Sequence, residues 1–182
     1  MAMLSSSMSF RRFSLATLYA GVSVLLFGLA AYFSGARVNT TNSIPVGLYW
    51  VANRPVASGE YVVLCPPPSG IFDEAKRRGY FGAGFCPGDY EYLMKKILAA
   101  KKDKVVFADD GVYVNGDLLA FSKPLATDKF NRPLPVLRAE YELGDSDLLL
   151  MTDVSEKSFD SRYFGLINRS QVKDVIRPVF TW

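Results

Sequence analysis

Residues 42–49 have the sequence Asn42-Ser43-Ile44-Pro45-Val46-Gly47-Leu48-Tyr49. Proline fixes φ and lacks an N–H, and glycine permits a tight backbone path or the close approach of another chain. A Ser-x-Pro-x-Gly loop can therefore hold the Ser43 hydroxyl in one place, with backbone N–H groups near it. An ordinary turn has the same composition, so the rest of the sequence has to decide between a structural and a chemical role.

Residues 13–36 form an uncharged segment that is long enough to cross a membrane. As a helix it would span roughly 36 Å, against a hydrocarbon core of about 30 Å. Because Arg11 and Arg12 precede it, the positive-inside rule predicts a cytoplasmic N-terminus, residues 1–12, and an extracytoplasmic domain, residues 37–182. A cleaved signal peptide is the alternative, although its apolar core would be shorter than this segment.

The composition of the 182-residue chain excludes several kinds of site. With no histidine and two cysteines, the chain cannot form a Ser-His-Asp triad, a Cys-His dyad, a histidine metal site or a four-cysteine zinc site. No metal or cofactor is expected. The net charge of +3 is small, and no basic cluster lies beside aromatic residues in the arrangement of a recognisable RNA- or DNA-binding module, so nothing indicates nucleic-acid binding. Any base that acts near neutral pH must be Lys, Asp, Glu, Tyr or Cys.

Cys65 and Cys86 are the two cysteines. If residues 37–182 are extracytoplasmic, an oxidising compartment favours a disulfide between them. The intervening loop is rich in proline and glycine, so a crosslink would restrict its freedom in the unfolded state. Two free, buried thiols are the alternative.

Short apolar segments separated by turn signals predict an all-β domain after the N-terminal segment. The predicted strands are residues 48–51, 61–64, 104–108, 148–151 and 172–180. The clearest local signal is a hairpin over residues 111–120, because the Asn115-Gly116 pair accepts the positive φ values of its turn. A short helix is predicted over residues 71–78, whereas residues 92–99 fit either a strand or a helix.

Lysine is the candidate base for a serine nucleophile in a chain without histidine. Its amine must be neutral to accept a proton, and burial in apolar surroundings lowers the pKa of a lysine. If residues 92–99 form a strand, Leu93, Lys95 and Ile97 share one face, and Lys96 lies on the other. Lys95 would then point in the direction of the apolar side chains. The alternative is that both lysines are solvated.

Asp160 and Arg162 lie in a third segment of interest, residues 158–165. A buried Arg–carboxylate pair would fix the local structure, because each partner requires the other. A surface turn with an exposed ion pair is the alternative interpretation.

These segments, in this order, resemble the signal peptidase I family, the membrane-anchored Ser–Lys proteases. Within the family, the Ser-x-Pro-x-Gly loop and the cysteine pair resemble the conjugative-transfer, TraF-like branch, which processes and cyclises pilin subunits. The similarity covers nearly the whole chain, although residues 99–103 and 152–155 depart from the turns usual in the family. It implies an antiparallel β-sheet domain in the periplasm, held by a single helix in the bacterial inner membrane.

The resemblance also implies a role for each residue of the site. Ser43 would be the nucleophile and Lys95 the general base, while Thr41 and the Ser43 N–H would stabilise the oxyanion. The supporting residues would be Ser158, which orients the lysine amine, and the pair Asp160 and Arg162.

Three hypotheses about function follow. The first is an endopeptidase that removes the C-terminal peptide of a propilin and cyclises the product head to tail. The second is a general signal peptidase that acts on exported preproteins, and the third is a catalytically silent binding module of a secretion assembly. The implied partners are a membrane-bound prepilin or preprotein, membrane lipid and other components of conjugative transfer or type IV secretion, with no nucleic acid.

Overall fold

The computed structural model describes residues 3–182, with side chains from residue 12 onward. Its chain divides into two compact units, Met1–Arg37 and Val38–Trp182. Residues 1–2 of the predicted cytoplasmic segment lie outside the described residues, as does the side chain of Arg11, on which the predicted orientation partly rests.

The first unit consists mainly of helix α1 (Met3–Phe33). Within the described residues, Arg12–Phe33 is the helical stretch long and apolar enough to cross a membrane, with a mean hydropathy of 1.9. The helix ends three residues before the predicted limit at residue 36. The reason is local: Gly35 adopts a φ of 110°, which a right-handed helix cannot contain.

The second unit is predominantly β-sheet, so the predicted all-β class is confirmed. The strands are β1 (Ala36–Asn39), β2 (Gly47–Ala52), β3 (Tyr61–Leu64), β4 (Ala83–Cys86), β5 (Leu93–Ala99), β6 (Lys104–Phe107), β7 (Val112–Val114), β8 (Asp117–Leu118), β9 (Ala139–Glu142), β10 (Asp147–Met151), β11 (Ile167–Asn168) and β12 (Val172–Thr181). Between them lie the helices α2 (Gly70–Arg77) and α3 (Ser161–Phe164) and a 3-10 turn, Arg169–Gln171.

Two sheets organise these strands. The larger has the order β1-β2-β12-β3-β5-β10-β11 and the smaller the order β8-β7-β6-β9. The pairs for which a register is defined are antiparallel. The main core lies between the larger sheet and α2, whose Phe72 packs among other aromatic rings. A second core joins β10 to the smaller sheet, and a third lies beneath β2.

The Asn-Gly hairpin is present as predicted. Asn115 has a φ of 54° and Gly116 a φ of 95°, and Val114 pairs with Asp117 across the turn. The predicted short helix is shifted by one residue, to Gly70–Arg77.

The predicted disulfide between Cys65 and Cys86 is formed, with Cα atoms 5.4 Å apart. It joins the segment after β3 to the end of β4, and both cysteines are buried in the main core. The two residues are 21 positions apart, so the bond closes the loop that contains α2.

Gly47 shows why a glycine ends the Ser-x-Pro-x-Gly segment. The backbone of β12 lies so close that a Cβ at residue 47 would be 2.2 Å from the Phe180 carbonyl oxygen and 2.8 Å from the Thr181 Cα. Both obstacles are backbone atoms of a paired strand, which cannot move independently of the sheet. The glycine therefore lets the segment after Ser43 lie directly against β12.

We expect the Gly47→Ala variant to be less stable than the wild type by about 1–3 kcal/mol, because a methyl group is forced into occupied space. Thermal unfolding of the full-length protein in detergent measures the change. Gly70→Ala is the matched control, since a Cβ at residue 70 meets nothing within 4 Å. An equal effect of the two substitutions would contradict the close-approach explanation.

Candidate active site

A cleft with a volume of about 560 Å³ brings together three of the segments selected from the sequence. The loop after β1 contributes Thr41 and Ser43, β5 contributes Lys95, and the segment before α3 contributes Ser158. These residues are far apart in the chain, and the fold brings them to the same cleft.

The loop that carries Ser43 is anchored from beneath by its own apolar residues. Ile44 is fully buried in the third core, together with Tyr49 of β2. The Tyr49 hydroxyl donates a hydrogen bond of 2.7 Å to the Pro45 carbonyl, and burial, followed by the proximity of Tyr61 and Asp153, raises the pKa of Tyr49 to about 12. Tyr49 therefore remains a protonated donor over the physiological range.

Above this anchor, the Ser43 hydroxyl lies 2.6 Å from the Thr41 Oγ1. The Thr41 hydroxyl is in turn 2.9 Å from the Oδ1 of Asn39. Ser43 is half-buried and Thr41 exposed, so both face the open side of the cleft. The nucleophile candidate and the oxyanion candidate thus belong to one hydrogen-bonded chain.

Lys95 projects into the interior from a strand, so the strand interpretation of residues 92–99 is the correct one. Burial alternates along β5, with Leu93, Lys95 and Ile97 on the buried face. The Lys95 side chain is only 4% exposed, and its Nζ donates a hydrogen bond of 2.7 Å to the Ser158 hydroxyl. The amine is therefore both desolvated and oriented.

The two adjacent lysines have opposite electrostatic environments. Burial lowers the pKa of Lys95 from 10.5 to about 8, an effect that Asp160 opposes and Arg162 reinforces. Lys96 lies on the other face, where a hydrogen bond to Asp153 raises its pKa. Of the two, Lys95 is thus the one whose neutral form becomes accessible near physiological pH.

Asp160 and Arg162 form a buried network, so the alternative of a surface turn is wrong. The two residues are 0% and 1% exposed, and the guanidinium is bidentate, with bonds of 2.8 and 2.9 Å to the two carboxylate oxygens. Arg162 also donates to the carbonyls of Lys123, Glu156 and Ser155. The network thereby fixes the backbone on both sides of Ser158.

The cleft does not place Ser43 and Lys95 in direct contact. These two residues, both in the described part of the chain, are not hydrogen-bonded to each other; their side chains bond to Thr41 and Ser158 respectively. Catalytic hydrogen bonds are often long or misaligned before substrate binds, so this geometry is compatible with a dyad that closes only in a complex. Among residues 3–182, no cluster of acidic or sulfur side chains that could hold a metal is found.

One residue that contacts the serine loop was missed in the sequence. Asn39, at the end of β1, is 4% exposed and bonds to the loop through both ends of its amide. The available signal was weak: asparagine near a turn commonly bonds to nearby backbone groups, but such bonds cannot be assigned before the loop is folded.

The all-β domain has a cleft lined by a serine and by a buried, oriented lysine, which defines a candidate serine peptidase. The chain belongs to the signal peptidase family, peptidase S26, whose sequence model matches residues 10–182. It is 59% identical over 173 residues to the plasmid transfer protein TraF of Escherichia coli, across 94% of this chain and 97% of that protein. It is 39% identical over 151 residues to the conjugal transfer protein TraF of Agrobacterium fabrum, across 81% of this chain and 84% of that protein.

Among solved structures, a signal peptidase I from Enterococcus faecalis is similar with a TM-score of 0.38 and 14% identity, across 69% of this chain and all of that chain. Family membership rests on the sequence matches, which confirm the resemblance to the signal peptidases and to their TraF-like branch.

Removing the Arg162 guanidinium tests the importance of the buried network. We expect Arg162→Met to destabilise the full-length protein by about 3–5 kcal/mol, because it leaves the Asp160 carboxylate buried and unpaired. Arg138→Met is the matched control: Arg138 also bonds to a carboxylate, that of Asp109, at 2.8 Å, but both side chains are more than half exposed. Its loss should cost less than about 1 kcal/mol, and similar losses for both variants would contradict a structural role for the network.

The low pKa of Lys95 predicts an unusual dependence of stability on pH. Well below pH 8 the lysine is protonated in both the folded and the unfolded state, so burial imposes a constant penalty. Between about 8 and 10.5 the folded state releases the proton first, so the free energy of unfolding rises with pH, by about 3 kcal/mol in total. Denaturant unfolding of wild type and Lys95→Met across this range should show the increase only in the wild type. A constant difference between the two would mean that the pKa is not lowered.

Proposed function

We propose that this protein is a membrane-anchored Ser–Lys endopeptidase of conjugative transfer, which removes the C-terminal peptide of a propilin and cyclises the product. The observation that supports the activity most strongly is the buried amine of Lys95, oriented by Ser158 in the same cleft as Ser43. The names of the similar plasmid and conjugal transfer proteins support the biological setting.

The proposed reaction begins with attack of the Ser43 Oγ on a peptide carbonyl while the neutral Lys95 amine accepts the hydroxyl proton. With a pKa of about 8, roughly a tenth of the Lys95 side chains carry no charge at pH 7. The Ser43 N–H and the Thr41 hydroxyl would donate to the oxyanion, and loss of one such donor typically lowers kcat by about 10²–10³-fold. Protonated Lys95 would then give its proton to the departing amine.

The acyl-enzyme formed in this way determines the outcome. Attack by water releases a linear acid and amounts to simple hydrolysis. Attack by the neutral N-terminal amine of the same substrate forms a new peptide bond and expels Ser43, which recovers its proton. The product is then a circular chain, and the energy of the cleaved peptide bond is retained through the ester.

We further propose that residues 13–36 anchor the protein in the bacterial inner membrane, with residues 1–12 cytoplasmic and residues 37–182 periplasmic. The apolar helix supports the anchor. The disulfide between Cys65 and Cys86 supports a domain on the oxidising side of the membrane, since such bonds are rare in reducing compartments.

Two other candidate functions have specific observations in their favour. The family is that of the signal peptidases, which makes exported preproteins the alternative substrates in place of a pilin. The lack of a direct hydrogen bond between Ser43 and Lys95 favours a silent binding module. The buried amine weighs against the silent module. A desolvated lysine lowers stability, and a module without catalytic activity would gain nothing in return.

Mass spectrometry of a candidate pilin co-expressed with the full-length protein tests these alternatives. Wild type should remove a C-terminal peptide and one further water, whereas Ser43→Ala and Lys95→Ala should each reduce processing by about 10⁴-fold or more. Lys96→Ala is the matched control, since Lys96 lies on the opposite face of β5 and should leave processing intact.

Cleavage without loss of the additional water would indicate a hydrolytic peptidase. Processing that persists in both Ser43→Ala and Lys95→Ala would contradict the dyad. An unprocessed pilin, together with unprocessed exported preproteins, would favour the silent module.

A further inference from the structure

The Asn39 side chain makes five hydrogen-bond contacts with the serine loop. Its Nδ2 lies 2.7, 2.9 and 3.1 Å from the carbonyl oxygens of Thr41, Ile44 and Pro45, so its two hydrogens serve three acceptors and one hydrogen is shared between two of them. Its Oδ1 accepts from the Thr41 N–H at 3.2 Å and from the Thr41 hydroxyl at 2.9 Å. A single buried amide thus bonds to the loop on both sides of Ser43.

The orientation of the Asn39 amide follows from these partners. Three carbonyl oxygens can only accept, so the group that faces them must be the NH₂, and the oxygen must face the Thr41 N–H. An amide oxygen has no hydrogen, so the bond between Asn39 and Thr41 uses the single hydroxyl hydrogen of Thr41.

This assignment fixes the direction of the next hydrogen bond. Because the Thr41 hydrogen is directed to Asn39, the 2.6 Å contact between Thr41 and Ser43 must be donated by the Ser43 hydroxyl. In the resting state the Ser43 proton therefore points to Thr41 and not to Lys95. The Thr41 hydroxyl is likewise unavailable to an oxyanion.

We propose that Asn39 is a positioning residue, which shapes the serine loop and holds Thr41 and Ser43 in a resting hydrogen-bond direction that substrate binding reverses. When the Thr41 hydroxyl turns to the oxyanion, Asn39 keeps the loop in place through its four other bonds, and the Ser43 proton becomes free to pass to Lys95. The inference rests on the proposed function and adds to it a residue that acts through Thr41.

A double-mutant cycle between Asn39→Ala and Thr41→Val, measured on processing of the candidate pilin by full-length protein, tests the coupling. In the wild type, Thr41→Val should lower kcat by about 10²–10³-fold. In the Asn39→Ala background, the fold-decrease in kcat caused by Thr41→Val should be at least tenfold smaller, because the Thr41 hydroxyl is no longer held in position. KM should change little, since Leu93, Met94 and the other residues that line the cleft around Lys95 are unchanged. Independent, multiplicative effects would overturn the proposal, because a purely structural role for Asn39 does not depend on the Thr41 hydroxyl.

Asn39→Asp provides a second test in case Asn39→Ala does not fold. The carboxylate keeps the oxygen that accepts from Thr41 but faces the three carbonyls with a negative charge, which should open the loop. Protonation of the carboxyl restores one donor, so kcat relative to wild type should rise as the pH falls from 8 to 5. Asn168→Asp is the control, since Asn168 is exposed and its oxygen accepts only from the Ser170 N–H. A ratio that is independent of pH would overturn the proposal.

Amide hydrogen exchange separates a failure of this proposal from a failure of the proposed function. Even if wild type does not process the pilin, Asn39→Asp at pH 8 should accelerate exchange at residues 41–47, and Asn168→Asp should not. Unchanged exchange in this segment would mean that Asn39 does not position the loop, whatever the substrate.

Discussion

The site depends on keeping the Lys95 amine out of water without leaving it free to move. A desolvated amine is costly, and its preference for the neutral form is the direct result of that cost. The Ser158 hydroxyl supplies the hydrogen bond that orients the amine. Ser158 is held in turn by the Asp160–Arg162 pair, whose guanidinium bonds to the carbonyls of Ser155 and Glu156, just before Ser158. The buried ion pair therefore influences the Lys95 amine indirectly, because it fixes the backbone of the segment that carries the Ser158 hydroxyl.

The serine loop forms the other wall of the cleft and is held by different contacts. Ile44 and Tyr49 fasten the serine loop to the third core, and Gly47 lets it lie against β12. Asn39 then bonds to the carbonyls of Thr41, Ile44 and Pro45, the last of which also accepts from the Tyr49 hydroxyl. One wall is thus fixed by a buried charge pair and the other by a neutral amide, and neither depends on direct contact between Ser43 and Lys95. A site built on two independently braced walls can leave its reacting groups apart until a substrate lies between them.

Local sequence patterns were sufficient for much of this architecture. The Asn115-Gly116 turn depends only on its own φ preferences, and the alternation along β5 placed Lys95 inside and Lys96 outside once a strand was assumed. The end of α1 and the role of Asn39 were not predicted, because a positive φ at Gly35 and five hydrogen bonds to a folded loop depend on the surrounding structure. Strand order escaped prediction for a related reason, since pairing between distant segments is decided by the whole sheet.

The placement of β12 has a consequence for how the protein is made. This strand lies in the middle of the larger sheet, between β2 and β3, yet it is synthesised on the order of 120 residues after β2. At usual ribosomal rates roughly ten seconds pass between the synthesis of β2 and that of β12. Until β12 is made, the edges of β2 and β3 that it will occupy remain unpaired. Exposed edges of this kind pair readily with other chains. A nascent chain of this design would therefore need protection until β12 emerges, and the serine loop, which packs on β12, would be completed only after that strand is in place.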